Sequence, residues 1–196
     1  MKKTLLYTAF VTVLFVQCAE EKNPFAISEG TIGPITKSTM MKQLDSIFAQ
    51  DSIVKLNPIK GAIDTQGEVE VYEKGGAKLL LLSPYDESDP NSKIANIQIF
   101  DARYSTDKGL TKASTFKDVK ANYEIAGIEN AINSVVVFLK GTNLYLTIDK
   151  KELPEEVRYN FNQKIDATQI PDTAKFKYFM IGWDAGDPIE IQEGDI

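Results

Sequence analysis

The chain contains no histidine and a single cysteine among its 196 residues. Without histidine there is no Ser-His or Cys-His nucleophile pair, no imidazole metal ligand and no imidazole proton switch near neutral pH. Basic residues are also in the minority: 22 Lys and Arg stand against 28 Asp and Glu, with a net charge of −6. Nucleic-acid binding depends on a basic surface, so nucleic acid is not an expected partner.

Motifs that bind phosphate or metal are missing as well. Gly75 and Gly76 lie between two strand-like runs, and neither they nor the isolated glycines form a nucleotide-binding loop in front of a helix. The oxygen-rich stretch 86–92 lacks the alternating ligand spacing of a calcium loop and is predicted to be a polar turn. We therefore expect neither a metal nor a cofactor.

What the chain does have is enough apolar material for a core. Hydrophobic residues make up 43% and aromatic residues 10% of the sequence. These values are typical of a globular protein, and the length suits one domain or two small ones.

The N-terminus has the pattern of a secretion signal. Met1–Lys3 is basic, and Thr4–Val16 is an apolar run of 13 residues. As a helix that run would span about 20 Å, short of the roughly 30 Å hydrocarbon core of a membrane. We therefore interpret residues 1–17 as a signal peptide and exclude them from the fold.

The segment Leu14–Cys18 resembles a bacterial lipobox of the relaxed type found in Bacteroidota lipoproteins, with Phe15 and Gln17 at its variable positions. The resemblance implies that Cys18 is acylated and becomes the first residue of a protein anchored to the outer membrane by its lipid chains. The alternative is that Cys18 is a chance residue in an uncleaved anchor. Glu20–Lys22 resembles the acidic stretch that directs some of these lipoproteins to the cell surface, and both the periplasmic and the surface-exposed face stay open.

The ends of the mature chain lack periodicity. Residues 18–31 are interpreted as the lipidated Cys and a tether, and 184–196 as a solvated tail with five acidic and no basic residues. The folded part is then expected between 32 and 183.

An internal similarity divides this folded part. Residues 35–48 align without gaps on 110–123, at an offset of 75 residues, with three identities and five similar pairs. Both segments carry an apolar stripe at helical spacing, and Thr115 with Asp118 has the spacing of a capping box. Each segment is thus predicted to form a short helix that must pack against other elements.

Three strand-like runs follow each predicted helix. The runs are 68–73, 78–82 and 93–100 after the first helix, and 134–139, 144–148 and 175–181 after the second. The predicted fold class is therefore α+β: two tandem α-β-β-β units, 32–104 and 105–183, forming an antiparallel sheet with short helices packed on one face. Such units resemble the outer-membrane assembly lipoprotein BamE and the β-lactamase inhibitory proteins, which implies protein binding on a sheet face without a cofactor.

Three function classes remain. We predict a non-enzymatic protein-binding module of the bacterial envelope, an assembly factor or inhibitor, whose partner contacts are Tyr145, Phe179 and Trp183. The alternation in β-structure places Phe179 opposite Phe176, Tyr178 and Met180, which are expected to face the core.

The first alternative is a glycan-acting enzyme that uses paired carboxylates, although Glu68, Glu70 and Glu73 are better explained as the solvent face of a strand with Val69 and Val71 inward. The second alternative is a carrier with an apolar cavity, lined by residues such as Leu79, Leu81, Val135 and Val137.

Overall fold

The computed structural model describes residues 23–56, 67–89, 91–159 and 164–183, and most of its regular structure is β. The strands are β1 (Ala26–Ser28), β2 (Thr31–Ile32), β3 (Ile35–Thr36), β4 (Ser52–Leu56), β5 (Glu68–Tyr72), β6 (Lys78–Pro84), β7 (Ile94–Ile99), β8 (Ser105–Thr106), β9 (Ile125–Asn130), β10 (Ser134–Leu139), β11 (Leu144–Asp149) and β12 (Phe176–Gly182). The α-helices are α1 (Leu44–Ile47), α2 (Phe116–Asn122) and α3 (Glu155–Arg158), and single 3-10 turns cover Met41–Gln43, Lys150–Glu152 and Ala167–Gln169.

The main sheet has eight antiparallel strands in the order β4-β5-β6-β7-β12-β11-β10-β9. It consists of two four-stranded meanders, β4–β7 and β9–β12, whose last strands pair with each other. We call α1 with β4–β7 the first half and α2 with β9–β12 the second half. Both meanders run toward the β7–β12 seam, where their last strands pair antiparallel, so the two halves are related as by an approximate twofold axis at the seam.

A small four-stranded sheet, in the order β3-β2-β1-β8, packs beside the main sheet. Its strand β1 lies parallel to β8, with Ala26 opposite Ser105 and Ile27 opposite Thr106. Ile27 is buried in the core. The stretch interpreted as a tether therefore contains a strand, and the folded part begins before residue 32.

The predicted α+β class is wrong, because the molecule is mostly β. Each helix is followed by four strands instead of three, since β4 and β9 also belong to the sheet. Both are edge strands that pair with a single neighbour: β4 is largely exposed and β9 contains Gly127. Each is held by the hydrogen-bond ladder to its one neighbouring strand. The resemblance to BamE and the β-lactamase inhibitory proteins was drawn on three-stranded units, which this chain does not have.

The two segments aligned at an offset of 75 residues make the same local hydrogen bonds. In the turn before the helix, the Thr36 amide donates to Thr39 Oγ1 at 3.0 Å, and the Thr111 amide donates to Ser114 Oγ at 3.1 Å. The matching geometry places each turn at the same point of its half.

The helix starts match too. The Met40 amide donates to Gln43 Oε1 at 2.8 Å, and the Thr115 amide donates to Asp118 Oδ2 at 2.8 Å. The capping role predicted for Thr115 and Asp118 is confirmed. The residue before each helix also forms a β-bridge just before the last strand of its half: Met40 with Lys93, and Thr115 with Lys175.

One face of the main sheet, the inner face, carries the core. Opposite residues in paired strands share a face, and the central row of the inner face is Val71, Leu80, Ile99, Phe179, Leu146 and Val137. All of these are fully buried, in one cluster with residues of the small sheet and of both helices. The neighbouring row on the other side, the outer face, is Val54, Glu70, Leu81, Gln98, Met180, Tyr145 and Phe138.

Strand β12 does not alternate as expected. The register of its pairing with β11 shifts, so that Tyr178 lies opposite Thr147 while Phe176 lies opposite Ile148. This bulge adds a residue to the strand and returns both Phe176 and Phe179 to the inner face. The prediction that Phe179 faces away from the core is wrong: its side chain is 0% exposed, and Tyr178 is 40% exposed instead.

Candidate functional site

The ladder identifies corresponding positions in the two halves. In the first half, the Phe100 amide donates to the Leu79 carbonyl at 2.9 Å; in the second half, the Gly182 amide donates to the Asn143 carbonyl at 2.9 Å. Asn143 thus occupies the position that Leu79 has in the first half.

The same correspondence extends across the outer face. Tyr145 occupies the position that Leu81 has in the first half. Leu81 pairs with Glu70, and Tyr145 pairs with Phe138. Phe138 therefore corresponds to Glu70. An acidic position in one half is therefore an aromatic position in the other.

In the second half these side chains form an apolar surface. The rings of Phe138 and Tyr145 stack with centroids 5.9 Å apart. Met180 lies opposite Tyr145 on the next strand, and Tyr178 follows two residues away on the same face. All four are at least partly exposed, and we call Phe138, Tyr145, Tyr178 and Met180 the outer-face patch.

In the first half the same face carries an ionic network around Glu70, beside the apolar Val54 and Leu81. The Glu70 carboxylate accepts from Lys78 Nζ at 2.5 Å and from the Tyr72 hydroxyl at 2.8 Å. The hydrogen bond from Lys78, followed by that from Tyr72, lowers the pKa of Glu70 below its ordinary value. Val69 and Val71 of the same strand are fully buried, so the predicted orientation of β5 is confirmed.

A cleft of about 540 Å³ opens in the second half. It lies between the small sheet, the end of α2, the β10–β11 turn and the end of β12. Its lining combines apolar, hydroxyl, amide and charged side chains: Ile27, Ser28, Glu29, Thr106, Asp107, Lys108, Tyr123, Glu124, Lys140, Thr142, Asn143, Leu144, Ile181 and Trp183, with Gly30 and Gly141.

Both lysines of the cleft are engaged. Lys140 Nζ lies 2.7 Å from the Glu124 carboxylate. Lys108 Nζ donates to the Asn122 carbonyl at 2.9 Å and lies 4.7 Å from the centroid of the Tyr123 ring. The charge of Lys140 is therefore compensated by Glu124, and the ammonium group of Lys108 is fixed by a main-chain carbonyl.

Tyr123 forms part of the wall. Its hydroxyl donates to Thr106 Oγ1 at 2.7 Å, which joins the end of α2 to the small sheet. Burial raises the pKa of Tyr123, so the phenol stays protonated and keeps this hydrogen bond at neutral pH.

Asn143 and Trp183 each carry a polar side-chain group without a hydrogen-bond partner among the described residues. Asn143 Oδ1 is buried and has no hydrogen-bond partner in the described part of the chain. The Trp183 amide donates to the Ala95 carbonyl at 2.6 Å, and its half-buried indole packs against the core without an indole N–H hydrogen bond to any described residue.

At the corresponding place in the first half, side chains connect the hairpin turn to the strand end. Arg103 joins Glu73 of the β5–β6 turn, at 2.9 Å, to Asp101 beyond β7, at 2.8 Å. Tyr104 and Leu79 are both buried beside them. The arginine thus bridges the hairpin turn and the strand end in the first half.

The structure separates the residues predicted from sequence. Tyr145 lies in the outer-face patch, Trp183 lines the cleft and Phe179 is inside the core. Cys18 lies outside the described residues. Three of the residues expected to line a carrier cavity, Leu79, Val135 and Val137, belong to the packed core, and Leu81 is on the outer face.

Apart from Trp183, the sequence reasoning missed the cleft residues, Asn143 above all. A comparison of the two β-hairpins would have placed this amide against the leucine of the first half, an exchange of polar for apolar at a buried position. No such comparison is possible from the helix alignment alone, because the halves differ in length between helix and hairpin.

Among residues 23–56, 67–89, 91–159 and 164–183, no group of three or more acidic or cysteine side chains is arranged to hold a metal ion. Within those same ranges, no helix is both long and apolar enough to cross a membrane.

Comparisons with known proteins give a likeness of fold. No protein-family model and no curated protein matches the chain. Among solved structures, the chain is similar to the crystal structure of the uncharacterized protein yfeY from Escherichia coli, with a TM-score of 0.52 and 15% sequence identity. The match covers 82% of this chain and 99% of that one. At this identity the likeness shows a shared fold and nothing about activity.

Proposed function

We propose that this chain is a lipid-anchored protein of the bacterial envelope that binds another envelope protein through its outer-face patch, without catalysing a reaction. The observation that carries the proposal is the stacked, partly exposed pair Phe138 and Tyr145, at positions where the first half has Leu81 and the ion-paired Glu70. Aromatic side chains supply much of the binding energy at protein interfaces. A sheet holds them rigidly, so little conformational entropy is lost on binding.

The anchor is Cys18, acylated after removal of residues 1–17. Strand β1 begins at Ala26, and the intervening residues can span at most about 25 Å when fully extended. The fold is therefore held close to the outer membrane, on its periplasmic or its surface-exposed side. A partner in or at the same membrane is within reach of such a tethered domain.

The anchor is tested in a Gram-negative host with the full chain. We expect the wild type to fractionate with the outer membrane and to incorporate labelled fatty acid, and Cys18→Ser to do neither. Gln17→Ala is the matched control, because it keeps the cysteine and should still be acylated. Labelling and membrane retention of Cys18→Ser would contradict the anchor.

The binding surface is tested by site-specific photo-crosslinking in cells, with the crosslinking amino acid at Tyr145 or Tyr178. We expect the same discrete adduct from both positions. Leu81, the counterpart of Tyr145 in the first half, is the matched control and should give no adduct. Identical adducts from all three positions, or none from Tyr145 and Tyr178, would refute a patch-directed interaction.

A further inference from the structure

We propose that the cleft of the second half is a binding site for a neutral saccharide. Its lining is drawn from four separate elements: the small sheet, the end of α2, the β10–β11 turn and the end of β12. This site is distinct from the outer-face patch, and the proposal is independent of the protein-binding function above.

The size of the cleft suits a small ligand. Ligand sites in proteins enclose about 300–1,000 Å³, and this cleft holds about 540 Å³. Its walls combine apolar side chains, Ile27, Leu144 and Ile181, with a small number of polar groups. This mixture is what a ligand with both hydrocarbon and hydroxyl surface requires.

The charges of the lining favour a neutral ligand. An anion would face the carboxylates of Glu29, Asp107 and Glu124, and a cation would face Lys108 and Lys140. Burying an uncompensated charge among these groups costs free energy, because like charges repel in a partly desolvated site. Hydroxyl groups, by contrast, can donate to the carboxylates and accept from the ammonium groups at the same time.

The aromatic and amide groups provide the remaining contacts. Trp183 and Tyr123 line the cleft, and the C–H face of a pyranose can pack on an aromatic ring. Asn143 is a polar side chain at the position of the apolar Leu79, and its buried Oδ1 has no hydrogen-bond partner among the residues that the structure describes. Leaving such an acceptor unpaired costs about 1–3 kcal/mol. A ligand hydroxyl that donates to the amide, after rotation of the side chain, would remove that cost.

The chain itself contains the reporter for a test. Trp183 is the only tryptophan of the sequence and lines the cleft, so its fluorescence reports directly on occupancy. The full chain is titrated with neutral disaccharides, cellobiose, maltose and N,N′-diacetylchitobiose, and with glucuronic acid, glucosamine and end-blocked tetra-alanine as charged and peptide comparisons. We expect a saturable change in Trp183 fluorescence with at least one neutral disaccharide. Glucuronic acid, glucosamine and the blocked peptide should give a weaker response or none.

Two variants make the result specific. Asn143→Leu is expected to weaken the disaccharide response about tenfold or more while the protein stays folded by circular dichroism, since leucine already fits this position in the first half. Tyr145→Ala, in the outer-face patch, should bind the disaccharide as the wild type does.

Three results would overturn the proposal. One is that none of the neutral disaccharides changes the fluorescence at millimolar concentration. Another is that the blocked peptide or a charged sugar binds more tightly than every disaccharide. The third is that two folded single variants, Asn143→Leu and Glu29→Gln, both bind the disaccharide as the wild type does, since each alters the proposed lining.

Discussion

The two halves of this molecule share one strand order but carry different side chains at corresponding positions. In the first half, Leu79 fills the space beneath the hairpin, Arg103 ties the turn to the strand end, and Glu70 is held in an ionic network. At the corresponding places in the second half, the buried Oδ1 of Asn143 finds no hydrogen-bond partner within the described ranges, and Phe138 is a partly exposed aromatic.

This difference shows where such a framework tolerates variation. The strand order within each meander and the amide hydrogen bond at each helix start are alike in both halves, and they do not depend on which side chain stands at Leu79 or Asn143. One half can therefore be packed for stability while the other retains an opening and an apolar surface, as is common where binding groups are placed on a rigid scaffold.

The largest effect is expected from giving the first half the amide of the second. Leu79→Asn removes a buried leucine and introduces a polar group without a partner, which should lower the free energy of unfolding by about 3 kcal/mol. Urea unfolding followed by circular dichroism measures it. Leu81→Asn on the outer face is the control and should cost less than about 1 kcal/mol. Equal losses would mean that the two positions are not packed differently.

The reverse exchange should stabilise the protein. Asn143→Leu removes the unpaired acceptor and adds apolar volume, and we expect a gain of about 1 kcal/mol in the free energy of unfolding. The same denaturation experiment applies. Asn143→Ala separates the two causes, because it removes the acceptor without filling the space. A clear loss of stability in Asn143→Leu would show that the amide makes a hydrogen bond in solution.

The helix caps provide a third comparison. Asp118→Ala should cost about 1 kcal/mol and Gln43→Ala about half of that, since both side chains accept from the amide before the helix but only Asp118 carries a charge there. The urea midpoints of unfolding of the two variants show which substitution costs more stability. Ser46→Ala, exposed on α1, is the control and should be close to neutral. A larger loss for Gln43→Ala would contradict the electrostatic part of the argument.

The smallest effect concerns pH. The pKa of Glu70 is lowered in the folded protein, by Lys78 first and then by Tyr72, so its stabilising contribution is present above its ordinary pKa and is lost as the pH falls through the lowered value. Because the ion pair is partly exposed, we expect less than about 1 kcal/mol.

The measurement compares wild type and Glu70→Gln at pH 7 and pH 3. The variant should be less stable at pH 7 and approach the wild type at pH 3. The mutation Glu68→Gln, on the same strand, controls for the general loss of a carboxylate. If the free energies of unfolding of wild type and Glu70→Gln differ by the same amount at both pH values, the lowered pKa of Glu70 is not the cause of the difference.

Much of the sheet could be predicted from residues alone. The alternation of Val69 and Val71, the Gly75–Gly76 turn and the cap at Thr115 each leave a local pattern, and the structure has the corresponding strand, turn and helix start. Strands β4 and β9 could not be found in this way. Their residues are stabilised by a neighbour distant in sequence, and an edge strand with few buried side chains carries little periodicity.

The candidate sites show the same division. Tyr145 could be assigned to a surface because the alternation of β11 is regular, whereas Phe179 could not, because a bulge shifts the register of β12. The cleft combines residues from both ends of the described chain, from Ile27 to Trp183. No local pattern predicts such a juxtaposition.

The amino-acid sequence by itself determined the exclusion of histidine chemistry, the acidic character, the helix start at Thr115 and six of the strands, because each depends on composition or on contacts between near neighbours. The tertiary structure alone decided the mostly β class, the pairing of β7 with β12, the burial of Phe179 and the contrast between Leu79 and Asn143. These features depend on which distant strands lie side by side, since pairing register assigns every side chain to the inner or the outer face.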